Sequence, residues 1–278
     1  MREEATAFVP GHITGFFSAH PDDDPTKAGS RGAGVTLTHG VEVTVEPTPE
    51  TESTIVLDGT PVDVDPVGTV LETLEVTARV EATSDVPIGA GFGVSGAMAL
   101  GTALAANRVF DRTLSTNELV TVAHGAEVQA GTGLGDVVAQ AHGGIPIRLE
   151  PGGPHENALD SIPACTRVEY ISFGQLSTAD VLSGDTEALT VAGERALSTI
   201  VAEPTLESFM YASRRFAREA GLLTDRVKTT VDEVAAVDGE ASMAMLGETV
   251  FALGTGLTDA GYEPAVCETH PAGATLTD

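Results

Sequence analysis

The sequence predicts an α+β protein built from two domains, residues 1–155 and 156–278. At 278 residues the chain is longer than most single domains, and 42% of its residues are hydrophobic, which is enough for a packed core. Runs rich in valine, threonine and isoleucine occur beside runs rich in alanine and leucine, as expected for mixed strands and helices. A glycine and proline cluster at residues 151–154 is the best candidate for the linker.

In the N-terminal half, strands are predicted at residues 34–45, 54–57 and 74–83, with an exposed acidic turn at 46–52. Helices are predicted at residues 95–110, 116–130 and 136–141. The second of these helices is expected to begin at Ser115 or Thr116, with Glu118 in its first turn.

Beyond the predicted linker the pattern again indicates strands and helices together. A strand is predicted at residues 168–173 and helices at 188–201, 206–220 and 225–237. A glycine-bounded segment at 241–253 completes this second block, so the chain is expected to form two α+β units.

Acidic residues dominate the charge of the chain. There are 41 aspartates and glutamates against 14 lysines and arginines, giving a formal net charge of -27, and the acids are spread along the whole sequence. Such self-repulsion destabilises a compact state, and molar salt screens it. The composition therefore indicates a protein adapted to high salt. It also argues against a nucleic acid partner, since phosphate binding needs clustered basic residues.

Membrane and disulfide signals are weak in this sequence. No apolar run approaches the roughly 20 residues that a membrane span needs, and the first residues do not resemble a signal peptide, so we expect a cytoplasmic protein without a membrane partner. Cys165 and Cys267 have no CxxC neighbour, which predicts neither zinc nor a disulfide but two buried or partly buried thiols. A homodimer is the default expectation.

A glycine-rich segment at residues 86–97 follows a predicted strand and opens a helix at a serine. Glycines let backbone N–H groups approach oxyanions, and a helix N-terminus supplies unpaired donors, so the pattern predicts a phosphate-binding loop. The alternative to a binding loop is a tight strand-to-helix turn whose small residues serve packing. A Walker A loop is excluded because no lysine lies here. The candidate phosphate-binding residues are Pro87, Gly89, Gly91, Gly93, Ser95 and Gly96.

A dinucleotide-binding fingerprint is an alternative reading of the same glycines. Gly91, Gly93 and Gly96 match its spacing, and Asp111 lies 20 residues beyond Gly91. Four residues, however, separate the predicted strand from the loop, and Asp111 directly follows a helix end. An NAD(P)-dependent oxidoreductase therefore remains only as a rival to a phosphate-transferring enzyme.

The loop resembles that of the GHMP kinases, Pro-x-x-x-Gly-x-Gly-x-Ser-x-Ala, with Phe92 and Val94 as departures from the usual residues. Residues 7–17 resemble the first block of that family, a Pro-Gly turn off the first strand, and 29–34 and 241–251 resemble the versions in archaeal pantoate kinases. Over residues 5–255 the resemblance implies a two-domain GHMP kinase fold. Its N-terminal domain would be ribosomal protein S5 domain 2-like and bind the ATP phosphates, and its C-terminal α/β-sandwich would close the acceptor site.

The resemblance also implies a chemistry: ATP-dependent phosphorylation of (R)-pantoate towards coenzyme A, with Mg²⁺. It implies that Ser95 and Glu127 hold the Mg²⁺ ion and that Asp136 acts as catalytic base or orients the substrate hydroxyl. The residues support this implication, because Mg²⁺ prefers carboxylates with phosphate and water oxygens. Three glycines at residues 131–135 also form a turn that can return Asp136 towards the phosphate loop.

The pantoate carboxylate requires local positive charge or hydrogen-bond donors in this acidic chain. The candidates are His12, Lys27, Arg31 and Arg148, and Arg31 is the most suggestive because it lies in a glycine-rich turn at 29–34. Two rivals stay open: a GHMP kinase for homoserine, shikimate or mevalonate, and a nucleotide-sensing protein without turnover.

Overall fold

The computed structural model describes residues 2–175 and 187–277. Its strands, numbered in chain order, form two sheets. The eight strands of the first sheet are β1 (Ala5–His20), β2 (Gly29–Pro47), β3 (Thr54–Leu57), β4 (Thr60–Pro61), β5 (Ala78–Ser84), β6 (Ile145–Glu150), β7 (Ala158–Ile162) and β12 (Thr275–Leu276). The four strands of the second sheet are β8 (Arg167–Gln175), β9 (Glu240–Ala244), β10 (Gly247–Leu253) and β11 (Ala265–Glu268).

Helices connect and cover these sheets. They are α1 (Asp65–Thr73), α2 (Val94–Val109), α3 (Thr116–Ala130), α4 (Asp136–His142), α5 (Glu187–Ala202), α6 (Leu206–Glu219), α7 (Asp225–Ala235) and α8 (Gly256–Asp259). Within the described ranges, no helix combines the length and the apolar character that crossing a membrane requires.

The first sheet is built on the long antiparallel pair β1 and β2, whose register runs from Ala5 opposite Val45 to His20 opposite Gly29. Its strand order is β12-β1-β2-β5-β3-β4, while β6 pairs with β2 and β7 pairs with β6. The second sheet is antiparallel throughout, in the order β11-β8-β10-β9.

The core lies between these sheets and their helices. Helix α2 contacts β1, β2, α1 and α3, and its many alanines and glycines are buried around most of its circumference. Helix α6 is amphipathic instead, and it buries Phe209, Met210 and Phe216 while contacting β1 and β9. Burial of these side chains is the main stabilising contribution to the fold.

Most predicted elements are confirmed, and the helices agree best. The predictions for residues 95–110, 116–130 and 136–141 differ from α2, α3 and α4 by at most one residue at either end. The acidic segment after β2 is exposed, as predicted. Helix α1 was not predicted, and the strand predicted from residue 74 begins only at Ala78 because Leu74 is the C-cap of α1.

Two predicted turns are wrong. Strand β1 continues through Pro10 and Gly11, with register irregularities between Pro10 and His12 and again between Thr14 and Phe16. Residues 29–34 belong to β2. The glycines there do not form a turn, and at Gly34 the missing side chain leaves space for the His12 ring: a Cβ on Gly34 would lie 2.2 Å from His12 Nε2.

The two sheets meet beside the phosphate loop. Thr14 of β1 forms an isolated antiparallel bridge with Met245 of the β9–β10 turn, and the Thr249 hydroxyl of β10 donates to the Ala90 carbonyl at 2.9 Å. Strands β7 and β12 lie in the first sheet, and a domain boundary at residue 155 stays a prediction.

The cysteines agree in part with expectation. Both are free thiols, Cys267 is buried, and Cys165 is exposed, so the prediction that both are at least partly buried is wrong for Cys165. That residue lies in the exposed connection between β7 and β8.

Candidate active site

The predicted phosphate loop connects β5 to α2. Gly89, Gly91 and Gly93 have φ angles of 70°, 88° and 65°, a left-handed conformation that glycine adopts without strain. Gly93 is the N-cap of α2 and makes no side-chain cap hydrogen bond, so the first N–H groups of the helix are available to a ligand. Together they form the geometry of an anion-binding helix N-terminus.

A cavity of about 340 Å³ lies beside this loop. It is lined by the loop, by the 131–135 turn, and by Met245 and Leu246 of the β9–β10 turn. Four of the predicted phosphate-binding residues line it, namely Gly89, Gly91, Gly93 and Ser95. The other two do not: Pro87 is exposed ahead of the loop and Gly96 is buried behind it.

The glycine turn brings Asp136 to the cavity as the first residue of α4. Two of its glycines are required by close approach. A Cβ on Gly133 would lie 2.4 Å from Glu127 Oε2, and a Cβ on Gly135 would lie 2.5 Å from Ser30 Oγ and 2.7 Å from Arg148 Nε. Any larger residue would displace these polar side chains.

His12 lies behind Asp136 and orients it. His12 Nδ1 is 2.7 Å from Asp136 Oδ1; the imidazole is fully buried, whereas 23% of the Asp136 side chain is exposed. Burial lowers the pKa of His12, so the ring is neutral at pH 7 and its Nδ1–H donates to the carboxylate. Burial alone would raise the pKa of Asp136, but this hydrogen bond and the nearby charge of Arg148 lower it below its ordinary value.

Glu127 lies on α3 with its carboxyl group buried near Asp136. Desolvation, followed by the Asp136 charge, raises the pKa of Glu127 to about 7, although hydrogen bonds from Ser95 and Thr132 oppose this shift. The Thr132 hydroxyl donates to Glu127 Oε1 at 3.0 Å. A buried carboxylate beside a loop hydroxyl and a second carboxylate fits a divalent cation. No group of three or more histidine, cysteine, aspartate or glutamate ligands occurs in the described part of the chain.

Of the four predicted carboxylate-binding residues, only Arg148 lines the cavity. Its side chain on β6 is 2% exposed, and its Nε and Nη1 atoms have no hydrogen-bond partner among the described residues. A buried guanidinium with spare donors is suited to hold an anionic group.

Lys27 and Arg31 point to other partners. Lys27 is half exposed and pairs with Asp24 at 3.8 Å. Arg31 donates from Nε to the Leu149 carbonyl at 2.6 Å and from Nη1 to Glu194 at 3.1 Å. Neither side chain lines the cavity: Lys27 pairs with Asp24, and Glu194 of α5 holds Arg31.

Sequence reasoning missed several polar residues around the site, among them Ser30, Thr132 and His124. Ser30 lines the cavity wall, and Thr132 binds Glu127. His124 lies one turn before Glu127 on α3, is buried, and hydrogen-bonds the Ala28 carbonyl through Nε2 at 2.9 Å. The i, i+3 spacing of His124 and Glu127 was the available signal, since it places both on one helix face.

The dinucleotide-binding alternative is wrong. That fold needs a parallel strand after the loop helix, whereas α2 leads to α3 and the next strand, β6, pairs antiparallel with β2. Asp111 follows the end of α2 directly and is not placed at the end of a second strand.

Comparisons with known proteins agree with this geometry. Residues 67–144 match the GHMP kinases N terminal domain. A pantoate kinase of Thermococcus kodakarensis is 38% identical over 261 residues, which cover 89% of this chain and 86% of that protein. One from Methanospirillum hungatei is 34% identical over 262 residues, covering 90% and 87%. A solved phosphotransferase related to the CoA biosynthesis pathway superposes with a TM-score of 0.87 at 33% identity, covering 98% of both chains.

Proposed function

This chain belongs to the pantoate kinase family of the GHMP kinases, and from that premise we propose that it transfers the γ-phosphoryl group of ATP to the 4-hydroxyl group of (R)-pantoate. The products are (R)-4-phosphopantoate and ADP. One observation supports this function most directly: the phosphate loop, Asp136 and the buried guanidinium of Arg148 line the same cavity.

The loop from Gly89 to Ser95 binds the phosphates of ATP through backbone N–H groups at the N-terminus of α2. Ser95 and Glu127 would hold a Mg²⁺ ion, which would neutralise charge on the phosphates. A bound cation would also keep Glu127 ionised, although the pKa of this residue in the ligand-free protein is raised to about 7.

Asp136 receives the proton of the pantoate 4-hydroxyl group. As the bond from this oxygen to the γ-phosphorus forms, the bond to the bridging oxygen of ADP breaks and the proton passes to the carboxylate. The lowered pKa of Asp136 keeps the carboxylate ionised at neutral pH but also makes it a weak base. Its main effect is therefore to orient the hydroxyl group. Positioning of this kind is the main source of rate enhancement in phosphoryl transfer.

The rest of the cavity suits the two ends of pantoate. Arg148 binds the carboxylate, because its planar guanidinium matches two carboxylate oxygens. Phe17, Leu134, Met245 and Leu246 form an apolar wall for the two methyl groups, which homoserine and shikimate lack.

The test is ADP release with Mg-ATP in about 2 M KCl, comparing pantoate with homoserine, shikimate and mevalonate. We expect turnover with pantoate alone.

We also expect Arg148→Lys, which keeps the charge and loses the planar fork, to raise the KM for pantoate by about 30-fold or more with a smaller change in kcat. The control is Arg79→Lys at an exposed ion pair with Glu81. Turnover with a different acceptor, or an unchanged KM, would contradict the assignment.

A further inference from the structure

Gln140 connects the helix of Asp136 to the phosphate loop. It is fully buried and lies on α4, one turn after Asp136. Its Nε2 donates to the backbone carbonyl of Gly93 at 2.9 Å. This carbonyl belongs to the N-cap of α2 and also accepts the Ala97 N–H at 2.9 Å, so the first helical hydrogen bond forms without Gln140.

The other end of the Gln140 amide has no partner. Its Oε1 atom is buried and accepts no hydrogen bond from the described residues. A buried polar atom without a partner costs stability, and an apolar side chain of the same length would avoid this cost. Stability alone therefore does not explain a glutamine here, whereas its hydrogen bond to the loop does.

The anchored peptide belongs to the phosphate-binding surface. Because a trans peptide is planar, its C=O and N–H groups point in opposite directions. The Gly93 carbonyl points along α2, where it accepts hydrogen bonds from the Ala97 N–H and from Gln140. The Val94 N–H of the same peptide therefore points out of the helix N-terminus, where Val94 lines the cavity. The contact is close: a Cβ on Gly93 would lie 3.0 Å from both Asp136 Cβ and Gln140 Nε2.

We infer that Gln140 is a positioning residue that fixes the phosphate loop relative to Asp136, and thereby the γ-phosphate relative to the acceptor hydroxyl. The inference rests on the proposed function, in which the loop holds ATP and Asp136 holds the hydroxyl. Gln140 touches neither reactant; it sets the orientation of one phosphate-binding N–H group and the spacing between the two halves of the site.

The test compares Gln140→Met with Gln129→Met, a matched change at an exposed glutamine on α3. Methionine keeps the length of the side chain and removes the unpaired acceptor, Gln140 Oε1. We therefore expect a Tm equal to or above that of the wild type. We expect kcat to fall by about tenfold or more and the Kd for ATP to rise several-fold, because small misplacements at a reacting centre have effects of this size. Gln129→Met is expected to change none of the three quantities.

A lower Tm with an unchanged kcat per folded molecule would show that Gln140 is only structural and would overturn the inference. Gln140→Leu, read in the same way, replaces the first variant if that one does not fold. If the wild type binds ATP but phosphorylates no pantoate, the proposed function fails, and the Kd for ATP alone decides: a several-fold rise in Gln140→Met supports the inference, and an unchanged Kd overturns it.

Discussion

Glu127 and Asp136 are neighbouring carboxyl groups whose pKa values move in opposite directions. Asp136 is 2.7 Å from a histidine donor and lies near Arg148, and its pKa is lowered. Within the described part of the chain, the carboxyl group of Glu127 accepts hydrogen bonds from the hydroxyl groups of Ser95 and Thr132, and its pKa is raised to about 7. Two carboxyl groups separated in this way suit two roles, one as ionised acceptor of a hydroxyl hydrogen and one as cation ligand.

The raised pKa of Glu127 predicts a pH-dependent stability. Its ordinary pKa is 4.5 and its folded value is about 7, so the folded state disfavours the ionised form. The resulting destabilisation is absent below pH 4.5, grows as the pH rises and is complete above pH 7, where it amounts to about 3 kcal/mol. In urea unfolding without ligands, Glu127→Gln is therefore expected to be more stable than the wild type at pH 8 and little different at pH 5.

The wild type serves as the control at each pH, so the titration of all other groups cancels in the difference. A stability difference between Glu127→Gln and the wild type that is the same at pH 5 and pH 8 would contradict the raised pKa. The same variant is expected to lose Mg²⁺-dependent turnover, because a neutral amide is a weaker ligand for this cation than a carboxylate.

At the scale of single residues, the sequence predicted those whose local pattern is distinctive. The glycine turn before Asp136 and the serine at the start of α2 were readable without a structure. Arg31 was favoured over Arg148 because of its glycine neighbours, yet Glu194, distant in the chain, binds Arg31. Contacts between residues so far apart in sequence cannot be read from local composition.

The phosphate loop is held from two sides. Gln140 of α4 binds the Gly93 carbonyl, and Thr249 of β10 binds the Ala90 carbonyl at 2.9 Å. Phe92 of the loop contacts Tyr170 of β8, with ring centroids 4.7 Å apart. The loop is thus fixed before a ligand arrives, which reduces the ordering cost of binding.

The hydrogen bond from Thr249 predicts a measurable link between the second sheet and the loop. Thr249→Val keeps the shape of this fully buried side chain and removes its donor. We expect a loss of about 1–2 kcal/mol in the free energy of unfolding and a higher Kd for ATP. The matched control is Thr83→Val at an exposed position of β5, where we expect a change within about 0.5 kcal/mol. Equal effects of the two variants would contradict a role for Thr249 in holding the loop.

At the scale of elements, helices were predicted better than strands. The capping pattern of α3 is local: of the two predicted caps, Ser115 is the N-cap, and it forms a capping box with Glu118 in the first turn. Strand β1 was misjudged because Pro10 and Gly11 are typical of turns, whereas pairing along the whole of β2 holds them in a strand. Pairing partners depend on the tertiary fold, which local propensity does not contain.

For the whole molecule, charge is the dominant feature. A formal net charge of -27 on 278 residues repels itself at low ionic strength, and the Debye length falls from about 10 Å at 0.1 M salt to about 3 Å at 1 M. We propose that the protein is adapted to molar salt. At the cavity, the positive charge of the buried Arg148 locally offsets this negative charge.

This proposal predicts that the Tm rises between about 0.1 M and 2 M KCl because salt screens the repulsion. A variant in which the exposed residues Glu50, Glu52 and Glu263 are replaced by glutamine is expected to gain less from the same salt. A Tm that is equal at both concentrations would contradict the proposal. A cytoplasmic location and a homodimer stay predictions from the sequence.

The proposed function requires that one cavity binds both ATP and pantoate and that Asp136 orients the acceptor hydroxyl. The most direct measurement is phosphorus NMR of the product formed from ATP and pantoate by the wild type and by Asp136→Asn, which keeps an oxygen that can accept the His12 hydrogen bond. We expect 4-phosphopantoate from the wild type, and from the variant a rate at least about a thousandfold lower at an unchanged Tm and Kd for ATP. A variant that forms the product at a rate close to that of the wild type, or a wild type that forms none, would contradict the claim.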